Sequence, residues 1–132
     1  MASIFTKIIN REIPSYKIAE DSSFYAFLDI NPLKKGHTLV VPKKEIDYLF
    51  DIDDEVIAAM MVFSKKVARG IEKVIDCERI GIAVLGLEVP HAHIHLIPVD
   101  DLTDTNFEKP KLKLSPEEFK DIADKISKAV IL

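Results

Sequence analysis

The sequence predicts an α+β domain: an antiparallel sheet of about five strands, one long central helix and a second helix at the C-terminus. Three observations predict it. Short runs rich in β-branched and aromatic residues succeed one another through turn formers. One long segment then carries apolar residues at steps of three and four, and two more strand-like runs precede a capped final helix. With 132 residues, 48% of them hydrophobic, the chain can bury one core, and it reads as a single domain over 1–132.

The elements follow in order. "SYKIAEDSSFYAFLDINP" predicts strands at 16–20 and 24–29 around a turn at Asp21-Ser22-Ser23. "NPLKKG" at 31–36 is a loop of turn formers, and "HTLVVP" at 37–42 is a buried strand that ends at a proline. From Asp53 to about Asp76 the residues Val56, Met60, Phe63, Val67, Ile71 and Val74 form one helical face. Asp53, Asp54 and Glu55 sit in its first turn, where the helix dipole favours acids. Strands at 79–86 and 91–99 come next, then an irregular stretch. Ser115 as N-cap and Pro116 at the first helical position open the last helix.

Composition excludes several classes of function. The net charge of −4 and the lack of a long basic run argue against a nucleic-acid partner. The longest apolar run, "VIAAMMVF", falls far short of the ~18 residues of a membrane span. Cys77 is the only cysteine, so no intrachain disulfide can form, which fits a reducing compartment. The opening segment lacks the apolar core of a signal peptide, and the expectation is a cytoplasmic protein. Lys109, Lys111 and Lys113 read as a solvated loop, and Cys77 as a packing residue.

Three of the four histidines, His91, His93 and His95, alternate within "PHAHIHLIP" at 90–98. On a strand they share one face, while Ala92, Ile94 and Leu96 share the other and can pack against the long helix. The imidazoles are therefore expected on an open face. Two chemistries suit such a row. One is metal binding, although the outer two rings lie about 13 Å apart at a strand's rise, too far to share an ion easily. The other is nucleophilic and acid–base work by groups with an ordinary pKa of about 6.5.

The run "HAHIHLI" at 91–97 matches the His-x-His-x-His signature of the histidine triad (HIT) family. The stretch 4–46, with Asp29-Ile30 and "GHTLVVPK", resembles the family's N-terminal half, so the likeness covers a core of about 4–99 and leaves 100–132 as a C-terminal loop and helix. It implies a HIT-like fold, a homodimer and a nucleotide hydrolase or transferase that cleaves a nucleoside 5′-phosphate, AMP above all, from an amine or phosphate. By resemblance, His93 is the nucleophile that forms a covalent nucleotidyl-histidine, and His95 assists at the phosphate and leaving group. His91 and His37 orient them, Asp29 takes the ribose hydroxyls and Ile30 lies against the base.

The chain departs from the family pattern just before the triad, where Gly86-Leu87-Glu88-Val89-Pro90 stands in place of Gly-Gln-x-Val. Leu87 cannot supply the glutamine amide, Glu88 brings a carboxylate to the phosphate, and Val89 retains its backbone N–H. Ile80 replaces an asparagine common in relatives. Two rivals therefore stand beside the amine-releasing hydrolase: a dinucleoside polyphosphate hydrolase, and a nucleotide-binding regulator whose turnover these changes have suppressed. Zinc-binding relatives carry Cys-x-x-Cys, a histidine after the "PKK" segment and the first triad histidine. Those places read Ser3, Thr6, Glu45 and His91 here, so no structural zinc and no required cofactor are expected. A divalent cation, where one takes part, would ride on the substrate's polyphosphate.

Overall fold

The computed structural model describes residues 2–132. Its elements are α1 (Ile4–Ile9), β1 (Lys17–Glu20), β2 (Phe24–Leu28), β3 (Thr38–Pro42), a short 3-10 turn (Leu49–Asp51), α2 (Asp54–Val74), β4 (Arg79–Ala83), β5 (Ile94–Val99) and α3 (Pro116–Ala129). The five strands form one antiparallel sheet in the order β1-β2-β3-β5-β4. The predicted α+β architecture is the observed one.

Local chemistry accounts for the boundaries. Asp21 Oδ1 accepts from the amides of Ser23 and Phe24, which closes the β1–β2 turn. Ser115 caps α3 by accepting from the Glu118 amide, and the Glu118 carboxylate accepts from the Ser115 amide in return, a capping box. Gly36 takes a φ of +89° at the bend that leads His37 into β3, a conformation that suits glycine.

Both faces of the sheet are covered, so β2 and β3 are buried along their whole length. Phe24, Ala26, Leu28, Val40, Ile94 and Leu96 face α2 and α3, where Met60, Phe63, Val67, Ile71, Phe119, Ile122 and Ile126 complete the main core. Tyr25, Phe27, Leu39 and Val41 point the other way and pack against Phe5 and Ile8 of α1. The alternation expected for 91–97 holds on its apolar side: Ala92, Ile94 and Leu96 lie in the main core.

Four expectations need correction. Helix α1 was not predicted; it spans only six residues, too few for periodicity to mark it. The strand expected at 79–86 stops at Ala83, which pairs with His95 one residue from the start of β5, and Gly86, with φ +73°, lies in the loop beyond. Strand β5 pairs only from Ile94, while the Ala92 amide donates instead to the Ile46 carbonyl. Val56, in the first turn of α2, is 38% exposed and does not join the buried face.

Ile71 is fully buried at the C-terminal end of the α2 face. Ile71→Ala removes its side chain from a packed core and should lower unfolding stability by about 2–5 kcal/mol, read by urea denaturation.

Candidate active site

The face of β3 and β5 opposite α2 carries the histidines. Register places His95 across from Leu39, and His37 immediately precedes β3, so His37 and His95 meet across the strand pair. The expected open face is closed: His37, His91, His93 and His95 are 1%, 0%, 7% and 7% exposed. Helix α1 covers one end of the row, with the Phe5 ring edge-on to His91 and His93 at 5.7 and 5.0 Å between centroids. Phe107, from the stretch after β5, packs edge-on to His95 at 4.8 Å and to His37 at 6.2 Å.

A buried imidazole must satisfy its nitrogens, and the partners here fix every tautomer. The Leu33 amide donates to His37 Nδ1 at 3.0 Å, so the proton of neutral His37 sits on Nε2. That Nε2–H donates to His95 Nδ1 at 2.9 Å, which leaves the His95 proton on its own Nε2. His91 Nε2–H donates to the Pro42 carbonyl at 2.8 Å, and its Nδ1 accepts from the Ser3 hydroxyl at 2.7 Å. His93 Nδ1–H donates to the His91 carbonyl at 2.8 Å. His93 Nε2 is therefore a lone pair with no partner assigned to it, beside a ring whose Nε2 is a donor.

Burial also keeps His37, His91 and His95 neutral. It pushes His37 down to about 3, helped by His95 and Lys111, and His95 down to about 4, helped by His93. His91 is lowered chiefly by burial as well. Asp29 is raised above the ordinary 3.8 by desolvation, against the Asn31 amide that donates to its Oδ1 at 2.8 Å. Its Oδ2 lies 3.6 Å from His37 Nε2.

Asp29, His37 and His95 bring three potential metal-binding atoms within 4.8 Å of one another. The donor chemistry does not suit an ion. With the Leu33 amide on Nδ1, His37 could offer Nε2 to a metal only as an imidazolate. The positions that hold zinc in some relatives do come together, but as a closed hydrogen-bond cluster. Ser3 N–H and Thr6 Oγ1–H each donate to Glu45 Oε1 at 2.6 Å, and Ser3 Oγ–H donates to His91 Nδ1. One imidazole, one carboxylate and two hydroxyls that keep their protons are a poor zinc set.

Two cavities meet at His93 and His95. The first, about 240 Å³, has apolar walls from Phe5, Ile8, Phe27, Leu39 and Val89, with Asp29, Ile30 and Glu88 at its rim. The second, about 210 Å³, is bounded by Asp29, Leu87, Glu88, Phe107 and Lys111. The structure thus gathers His93 and His95 with Asp29, Ile30, Glu88 and Val89 around the first cavity, and His37 and His91 stand behind them, outside its lining. Leu87 touches only the second and is 89% exposed.

Lys111 is not the solvated residue expected. It lines the second cavity, and its Nζ donates to the Lys109 carbonyl at 3.1 Å and to the Phe107 carbonyl. Phe5 and Phe107 were missed too. The Ser3 cap followed by Ile4, Phe5 and Ile8 is a weak signal for a covering helix; nothing local in the sequence marks Phe107.

Comparisons with known proteins bear on the family and the fold. The HIT domain family model matches residues 10–102, and the chain belongs to that family. It is 39% identical to an uncharacterized HIT-like protein of Borreliella burgdorferi, over 94% of this chain and 95% of that one. It is 35% identical to the adenosine 5′-monophosphoramidase hnt1 of Schizosaccharomyces pombe, over 98% of this chain and 99% of that protein. Among solved structures, a Hit-like protein involved in cell-cycle regulation from Bartonella henselae superposes with a TM-score of 0.83 at 32% identity, covering 97% of this chain and 96% of that one. No helix among the described residues is long and apolar enough to cross a membrane.

The depressed histidine pKa values give stability a pH dependence of definite sign. Below the ordinary 6.5 the unfolded chain takes up protons that folded His37 and His95 refuse until about 3 and about 4. Stability should be full above that range and should fall on acidification by up to about 1.4 kcal/mol per pH unit for each ring. Urea unfolding between about pH 7 and pH 5 should show this slope, and His37→Gln should flatten it.

Proposed function

We propose that this site hydrolyses a nucleoside 5′-phosphoramidate, releasing AMP and an amine through a covalent nucleotidyl-histidine. One observation carries the reading: the hydrogen-bond partners leave His93 Nε2 as a lone pair and His95 Nε2 as a donor, side by side. The apolar cavity with Asp29 at its rim suits a purine base and a ribose diol, with Ile30 against the base and the Val89 N–H available to a phosphate oxygen. His91 and His37 act as orienting residues, each through the hydrogen bond that fixes its neighbour. No resident metal or cofactor takes part.

In the first step His93 Nε2 bonds to the α-phosphorus as the bond to the leaving nitrogen breaks. That nitrogen takes a proton supplied from solvent through His95, and the amine departs neutral. The His93 ring gains positive charge, and its Nδ1–H strengthens its bond to the His91 carbonyl. In the second step a water oxygen joins phosphorus, the bond from phosphorus to Nε2 breaks, and the water's proton passes to solvent. The neutral rings near the reacting centre avoid like-charge repulsion among themselves and do not repel the phosphate.

The second cavity favours an amine over a polyphosphate as leaving group. Glu88 and Asp29 place two carboxylates there against the single ammonium of Lys111. Cytoplasmic residence suits a chain whose one thiol has no partner with which to oxidise within the chain. The partner that suits the fold is a second copy: β4 is an edge strand with Ile82 exposed on it, and just beyond its end Val84 and Leu85 are exposed around one cavity with Tyr48 and Phe50. Sedimentation should then give twice the 14.9 kDa chain mass; a monomer at micromolar concentration would refute the dimer.

The reaction is tested with adenosine 5′-phosphoramidate. His93→Ala should cost on the order of 10⁴-fold or more in turnover, and intact-mass spectra of wild type should show an AMP adduct absent from the variant. Glu88→Gln should raise hydrolysis of a dinucleoside polyphosphate relative to the phosphoramidate by about tenfold. AMP binding without turnover of either substrate would instead favour a regulator.

A further inference from the structure

Beyond the row itself, the N-terminal segment is tied down by a cluster that the reaction does not use. Ser3 Oγ accepts from the Thr6 amide at 3.0 Å, capping α1, and donates to His91 Nδ1. The Glu45 carboxylate, in the loop after β3, receives both the Ser3 amide and the Thr6 hydroxyl on one oxygen. The neighbouring Ile46 carbonyl accepts from the Ala92 amide, so the same loop grips the histidine segment. Every donor in this chain points toward an acceptor, and the cluster closes on itself.

Its position gives it consequences at the site. The helix it anchors supplies Phe5, which packs on His91 and His93, and with Ile4 and Ile8 forms one wall of the larger cavity. The ring it holds, His91, offers the carbonyl that sets the His93 tautomer. We propose that Ser3, Thr6 and Glu45 form a metal-free clasp whose work is positional: it docks α1 over the histidine row and shapes the cavity for the nucleoside. Glu45 and Ser3 are positioning residues, acting through Phe5 and His91. The proposal rests on the nucleotide reading for the ligand of that cavity, but the docking of α1 stands apart from it.

The mechanism predicts a split between binding and chemistry. Glu45→Ala releases both donors, and Ser3→Ala removes the cap and leaves His91 Nδ1 without its donor. Each variant should weaken AMP affinity and raise KM for adenosine 5′-phosphoramidate by about tenfold, the scale of one lost anchoring hydrogen bond to a charged group, with kcat within about threefold. Glu45→Gln, which retains an acceptor oxygen, should recover part of the loss. Amide exchange over residues 4–9 should quicken in Glu45→Ala, and EDTA should leave exchange, melting temperature and AMP affinity of wild type unchanged.

Three results would overturn the clasp. One is wild-type AMP affinity together with wild-type exchange in both alanine variants. Another is a fall in melting temperature with no change in AMP affinity, which would make the cluster merely structural. The third is release of α1 from wild type by EDTA, which would assign the docking to a bound metal. Should wild type fail to bind AMP at all, the nucleotide reading fails, and the exchange of residues 4–9 alone decides whether Glu45 docks the helix.

Discussion

Four imidazoles are buried on one face of a sheet, and this constraint orders the rest of the site. A buried ring that is neither charged nor in water needs a donor or acceptor at its nitrogens. His37 satisfies both nitrogens with the Leu33 amide and His95, and His91 satisfies both with Ser3 and Pro42. His93 spends one nitrogen on a carbonyl and His95 receives one bond. The two unspent nitrogens belong to adjacent rings, one a lone pair and the other a donor. The reaction we propose uses these two nitrogens, the ones that burial has left without a partner.

The sheet makes this economy possible because both its faces are covered. The α2–α3 side supplies the stability of an ordinary core, leaving the other side free to carry polar side chains under a thin cover. That cover, six residues of α1 with Phe107 opposite, excludes water from the rings while leaving two cavities open at His93 and His95. Desolvation then holds His37 and His95 neutral, so the charges at the second cavity come from Asp29, Glu88 and Lys111 and not from these rings.

Much of this was legible in the sequence, for reasons that differ by residue. The α2 face from Met60 to Ile71 and the capped start of α3 are written in local spacing, which folding leaves intact. The alternation of Ala92, Ile94 and Leu96 with histidine specified which way each side chain would point, and His37 was reached by resemblance to relatives. What covers the histidines was not legible. Phe5 and Phe107 lie more than ten residues from the rings they touch, in a short helix and an irregular stretch with no period to read. The same reason put Lys111 in solvent, although its bonds to backbone carbonyls hold it against the site. Ser3, Thr6 and Glu45 could be read as places without thiolates, but only geometry turns them into a hydrogen-bonded cluster.

The cluster and the histidine network answer acid differently, and the order matters for how the site fails. Glu45 is lowered to about 2, first by the Thr6 hydroxyl and then by the Ser3 amide, so its carboxylate keeps both donors until the pH has dropped well below the ordinary 4.5. A carboxylate depressed in this way adds stability above its unfolded pKa and loses it only in strong acid. The rings act in the same sense but from a higher pH, since folded His37 and His95 refuse the protons that the unfolded chain takes up from 6.5 downward. Acid therefore begins to cost stability through the rings at about 6.5 and through Glu45 only below the ordinary 4.5. His95 and His37, lowered to about 4 and about 3, take protons before Glu45, lowered to about 2, so the hydrogen bond between the two rings is lost while the carboxylate still accepts from Ser3 and Thr6.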